Sequence, residues 1–242
     1  MRYFLLLAVL LFSHPSQAGE AFKLAEEFKL TDQTIPAGSS KSWMQTVAGT
    51  QIPITVIHGQ HPGPVLNLTA GIHGDEFPGI LALQKLRQHI SPANLHGTLI
   101  LIHLANLEGF HARRVALSPV DEKNLNRVFS GKPDGTLTEQ IAYFLTQEII
   151  SKTDYLIDIH SGSSNQTLLP HVYSPVKYKA ELDNKTLAFA KSLGLPHIVL
   201  YDERPNDLDN AISYPNAAQN RGKPALTLEI GHLGQRDAES VD

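Results

Sequence analysis

Pro64-Val65-Leu66-Asn67-Leu68-Thr69-Ala70 runs directly into Gly71-Ile72-His73-Gly74-Asp75-Glu76, and apolar residues then recur at Ile80, Leu81, Leu83, Leu86 and Ile90. The first run predicts a buried strand, and the spacing of the second predicts a helix over 77–90 with one buried stripe. His73 and Glu76 therefore belong to the turn that leaves the carboxyl end of a strand. A second such strand, Tyr155-Leu156-Ile157-Asp158-Ile159, closes on His160. The strand-then-helix alternation continues, with further strands expected over 98–105, 197–201 and 224–230 and helices over 136–151, 178–193 and 207–220. Gln51–Ile57 alternates as a strand, and Pro53 favours an edge position for it. Residues 19–50 read as polar and irregular. Leu99-Ile100-Leu101-Ile102 is apolar on both faces, as parallel strands are when helices cover them on both sides. The expected fold is α/β, a three-layer α/β/α sandwich around a mostly parallel, mixed sheet.

In such sheets ligands bind outside the carboxyl ends of the strands. His73, Glu76, Asn106, His160 and Glu229 all fall at or just beyond predicted strand ends. Each has an ordinary explanation on its own. His73 could be a loop histidine, Glu76 a carboxylate favoured by a helix N-terminus, and His160 a core histidine. Together, two imidazoles and a carboxylate form a three-ligand metal set, and three protein ligands leave a fourth position open, as in catalytic zinc sites. Gly71 and Gly74 let the backbone turn sharply enough for His73 and Glu76 to face one point. Asp158 lies on the same face of its strand as His160 and could orient the imidazole from behind.

The 242-residue chain is 42% hydrophobic and 18% charged, enough to bury a full core, and its net charge of -4 carries no basic, aromatic-laced stretch. Nucleic acid is therefore not an expected partner. Cysteine is absent, which excludes thiolate ligands and nucleophiles. Met1-Arg2, the apolar run Tyr3–Phe12 and Ser16-Gln17-Ala18 form a leader pattern, so residues 1–18 are expected to be a signal peptide. That run is about half of the roughly 20 residues a membrane span needs. An exported, periplasmic or secreted protein with no stable membrane span is the expectation, with 19–50 an N-terminal segment and 51–235 the catalytic domain.

Five pieces occur in an order that resembles the succinylglutamate desuccinylase/aspartoacylase family of the zinc carboxypeptidase-like group. They are Gly71-Ile-His73-Gly-Asp-Glu76, Asn106-Leu-Glu-Gly-Phe110, Asp121-Glu-Lys-Asn-Leu-Asn126-Arg127-Val-Phe129, Asp158-Ile-His160-Ser-Gly162 and Leu228-Glu229-Ile-Gly231. The resemblance implies a zinc-carboxypeptidase-like fold and one zinc held by His73, Glu76 and His160. It implies Glu229 as general base, Arg114 (with Arg113 the adjacent alternative) as the oxyanion-stabilising cation, and Asn126-Arg127 as a clamp on a substrate carboxylate. Without it, Asn126-Arg127 would read as a surface pair. Relatives of this kind continue into a smaller β-rich region, so 236–242 is expected to start a connection to a missing or truncated one. The function implied is hydrolysis of an amide or ester in a small N-acyl amino acid or related carboxylate. A carboxypeptidase acting on peptides and a degenerate zinc-binding protein are the alternatives.

Overall fold

The computed structural model describes residues 24–177, 179–202 and 205–241, so the leader lies outside the described residues. Among the described residues ten strands and six α-helices follow one another. The strands are β1 (Phe28–Leu30), β2 (Gln33–Ile35), β3 (Ser39–Val47), β4 (Thr50–His58), β5 (His61–Ala70), β6 (His96–Ile102), β7 (Tyr155–His160), β8 (His171–Pro175), β9 (Ile198–Tyr201) and β10 (Ala225–Glu229). The helices are α1 (Phe77–His89), α2 (Leu107–Ala112), α3 (Leu137–Phe144), α4 (Ala180–Ser192), α5 (Tyr214–Asn220) and α6 (Ala238–Val241). β1 and β2 form a small hairpin, and the other eight strands form one sheet in the order β3-β4-β6-β5-β7-β10-β8-β9. β6, β5, β7 and β10 are mutually parallel, while β4 and β8 flank them antiparallel.

Residue alternation along the strands builds two cores. Ile100, Ile102, Leu156 and Ala225 pack with Ile141 and Ala142 of α3 and Tyr214, Ala217 and Ala218 of α5. Leu99, Leu101, Ile157 and Leu226 pack on the opposite face with Ile80, Leu83 and Leu86 of α1 and Phe189 and Ala190 of α4. Burying both faces of the central strands accounts for their uninterrupted apolar sequence.

Several boundaries differ from the sequence expectation for identifiable reasons. Residues 19–50 are not irregular throughout: β3 pairs with β4 over its whole length, from Ser39↔His58 to Val47↔Thr50. The two-residue turn has φ of 49° at Ala48 and 89° at Gly49, a left-handed pair that Asn-Gly would have announced and Ala-Gly does not. β3 takes the sheet edge, and Pro53 therefore lies in an interior strand. It fits because its carbonyl accepts from His103 N (3.0 Å) just past the end of β6, where the ladder stops. The helix expected over 207–220 begins only at Tyr214. Asp207 Oδ1 accepts from the N–H groups of Asp209 (2.8 Å) and Asn210 (3.2 Å), a side-chain turn that competes with helix, and Ser213 Oγ then caps Asn216 N. The helix expected over 136–151 is α-helical to Phe144 and then passes through a wide π turn and a 3-10 turn. β8, five residues that follow Pro170 and end on Pro175, is too short to signal itself.

The α3/α5 core contains a buried polar chain. Tyr214 Oη donates to Asn67 Oδ1 (3.0 Å), which also accepts from Thr69 Oγ1 (3.0 Å), and Asn67 Nδ2 donates to Ile100 O (3.1 Å). All of these side chains are buried, so each bond replaces water that cannot reach it. Tyr214→Phe is expected to lower unfolding stability by about 1 kcal/mol. A denaturant titration should register this as a lower midpoint at unchanged slope.

Candidate metal centre

Backbone zipping places the first ligand loop. Beyond the last β5–β6 pair, Ala105 N donates to Ala70 O (3.0 Å) and Asn106 N to Gly71 O (2.9 Å). The Asn106 side chain finishes the junction: its Oδ1 caps α2 at Gly109 N (2.9 Å) and its Nδ2 reaches Ile72 O (3.3 Å). Gly71 has φ +67°, and a Cβ on Gly74 would sit 2.1 Å from the Gly109 carbonyl carbon. His73 and Glu76 are thereby fixed against α2, with Glu76 at the residue preceding α1 and its side chain making no cap bond to that helix.

Three side chains meet there. Glu76 Oε1 lies 2.7 Å from His73 Nδ1 and Oε2 lies 2.7 Å from His160 Nδ1. The candidate ligand atoms of His73, Glu76 and His160 lie within 4.8 Å of one another. Each imidazole is held from behind at its other nitrogen. His73 Nε2 faces Asn124 Oδ1 (3.2 Å), and His160 Nε2 faces Asp158 Oδ2 (2.8 Å). Both acceptors require Nε2–H, which leaves both Nδ1 atoms turned to the carboxylate, the arrangement usual behind metal-binding histidines. Asn126 fixes Asp158 in turn: its Oδ1 accepts from Tyr214 N (2.8 Å) and its Nδ2 donates to Asp158 Oδ2 (2.9 Å). The 3.1 Å approach of Asn126 Nδ2 to His160 Nε2 is then a contact of two donors.

Charge distribution agrees. Burial would raise the Glu76 carboxyl, but the His160 charge and hydrogen bonds from both histidines pull it down to about 2. Burial would lower the His160 imidazole, yet the carboxylates of Asp158 and Glu76 drive it well above its ordinary value. The pocket demands positive charge between two Nδ1 atoms and a carboxylate, which protons or a divalent cation can supply. The donor set and its open geometry suit zinc.

Glu229 stands beside this group, paired in register with His160 on one side and His171 on the other. Burial raises its carboxyl, against the His160 charge and with the Glu76 charge, and among the described residues no protein group hydrogen-bonds it.

The remaining expected residues are placed differently. Asn126 is buried, with its amide committed to Asp158 and Tyr214 rather than turned to a substrate. Arg127 is exposed and its Nη1 donates to Asn126 O (2.8 Å). Arg114 is ion-paired with Glu122 (2.6 Å) on an exposed loop. Arg113, at φ 51° after α2, instead lines an apolar groove with Phe77 and Phe110. Asn124 and Tyr214 escaped sequence reading, although Asn124 lies within the Asp121–Phe129 piece.

A model of the succinylglutamate desuccinylase/aspartoacylase catalytic domain matches residues 62–242, three quarters of the chain. The chain belongs to this family. An N-alpha-acetyl-L-2,4-diaminobutyric acid deacetylase of Halomonas elongata is 36% identical over 190 residues, covering 78% of this chain and 54% of that protein. The product-bound ectoine utilization protein EutE (DoeB) of Ruegeria pomeroyi is 33% identical with a TM-score of 0.71, over 79% of this chain and 56% of that one. A succinylglutamate desuccinylase/aspartoacylase of Rhodobacter sphaeroides is 30% identical with a TM-score of 0.70, over 79% and 55%. The chain thus spans about half the length of these relatives. The mostly parallel mixed sheet is the fold they share.

Two outcomes follow from this centre. The Asp158 and Glu76 carboxylates favour a proton on His160, so zinc bound at these three residues would displace it, and its apparent affinity should rise up to about tenfold per pH unit below the elevated His160 pKa. Calorimetric titration between pH 6 and 7.5 (values about those of ordinary buffers) in buffers of different ionisation enthalpy should detect the released proton. Gly74→Ala should abolish stoichiometric zinc binding by pushing the His73 loop off α2, as metal analysis of the purified variant would reveal.

Proposed function

We propose that the chain is a zinc-dependent deacylase that hydrolyses the amide of a small N-acyl amino acid. The observation that carries this is the juxtaposition of Glu229, whose carboxyl meets no hydrogen-bond donor among the described residues, beside the His73/Glu76/His160 group on one sheet edge. Family membership and the deacetylase relative support amide hydrolysis as the reaction class. Bound at the three ligands, zinc would supply Lewis acidity toward the attacking water and the scissile carbonyl. The chain's own residues do the rest. Glu229 takes a proton from water as the oxygen–carbon bond forms, and gives it to the nitrogen as the carbon–nitrogen bond breaks, leaving a carboxylic acid and an amine, and transfer of the acid's remaining proton to that amine gives carboxylate and ammonium. Its raised carboxyl moves the base toward working pH.

Asn126 serves the centre by holding Asp158 behind His160, which leaves the carboxylate clamp to Arg127, whose planar guanidinium suits two parallel hydrogen bonds. For Arg114 to meet an oxyanion, its exposed pair with Glu122 must open, at small cost for a surface ion pair. The leader pattern of residues 1–18 supports export, so the deacylase is proposed to act outside the cytoplasm. No helix among the described residues is long and apolar enough to cross a membrane.

Glu229→Gln should keep one zinc per chain and lose about 10²–10⁴-fold in turnover. In the wild type, activity should fall as pH drops through the Glu229 pKa, which burial raises from its ordinary value, because the base is protonated below it. Equal turnover by wild type and variant on a panel of N-acyl amino acids would contradict the assignment.

A further inference from the structure

The row that carries the site does not end at Glu229. His160 of β7, Glu229 of β10 and His171 of β8 occupy one transverse line of the sheet, paired residue to residue. Cross-strand partners share a face, and adjacent strands lie about 4.8 Å apart. His171 therefore flanks Glu229 on the side away from the metal ligands.

Its tautomer is fixed. His171 Nδ1 lies 2.7 Å from Leu169 O, and a carbonyl only accepts, so Nδ1 carries the hydrogen. Nε2 of the neutral ring then bears a lone pair, and among the described residues nothing in the protein hydrogen-bonds it. The ring is braced edge-on by Tyr173 (centroids 4.7 Å apart), which is itself met edge-on by Tyr201 (5.8 Å). An oriented acceptor beside the general base, half-buried and without a partner, is an arrangement that a substrate donor would complete.

We propose that His171 Nε2 accepts the N–H of the scissile amide and so orients the leaving nitrogen for protonation by Glu229. An amide nitrogen leaving a tetrahedral carbon has one N–H and one developing lone pair. Anchoring the N–H on His171 turns the lone pair toward the carboxylate that holds the proton. The selectivity that results is for amides over esters, because an ester has no hydrogen to offer. This rests on the deacylase reading and adds a residue and a preference to it.

The test compares matched amide and ester substrates, an N-acyl amino acid and its O-acyl hydroxy-acid analogue, on the zinc-loaded chain. His171→Phe keeps a ring against Tyr173 and removes the nitrogen. Its loss in kcat/KM should be about tenfold larger on the amide than on the ester, the scale of one hydrogen bond. His171→Gln, which restores an acceptor, should recover part of that difference. Affinity for the product amine, measured by calorimetry, should fall in His171→Phe while zinc content stays at one. Equal losses on amide and ester, or none, would overturn the role of His171 alone. Absence of turnover on either substrate by the zinc-loaded wild type would overturn the deacylase reading, and this inference with it.

Discussion

Everything at this site depends on one carboxylate caught between two imidazoles. Glu76 is buried, and a buried carboxylate without compensation would take up a proton. It stays ionised because two Nδ1 atoms face it at 2.7 Å. Those nitrogens can face it only because Asn124 and Asp158 hold the opposite edges of the rings. The requirement then spreads outward. Asp158 is held by Asn126, and Asn126 by the backbone at Tyr214. The Tyr214 hydroxyl reaches Asn67 in the middle of the sheet. A line of buried hydrogen bonds thus runs from the core to the ligands, and the core's rigidity becomes the site's geometry.

The sheet supplies the second constraint. Four parallel strands end on one edge, and three successive strands there present His160, Glu229 and His171 in register. These three side chains are separated by strand spacing alone, so no long loop is needed to bring them together. The glycine turn after β5 adds His73 and Glu76 from the same edge, because the turn packs so closely on α2 that a side chain on Gly74 has no room.

Much of this was legible in the sequence. Apolar strand runs followed by helical periodicity placed β5, β6, β7 and β10 within a few residues, and their carboxyl ends pointed to His73, Glu76, His160 and Glu229, which the structure brings together. What stayed hidden lacked a periodic signal. β3 is mostly polar, with only Trp43, Met44 and Val47 apolar, and leaves through an Ala-Gly turn, so neither hydrophobicity nor turn chemistry announced it. Side-chain direction was the other gap. Asn126 looked like a substrate residue because it adjoins Arg127, but a buried partner, Asp158, claims its amide. Arg113 and Arg114 are adjacent in sequence and diverge only because the chain turns left-handed at Arg113.

The most direct test of the account is zinc stoichiometry in the wild-type chain and in Glu76→Gln, which keeps the shape of the bridging carboxylate and removes its charge. About one zinc per chain in the wild type, with little or none in the variant, is the predicted result. Zinc retained equally by both, or bound by neither, would contradict the claim that this carboxylate and its two histidines form the metal centre.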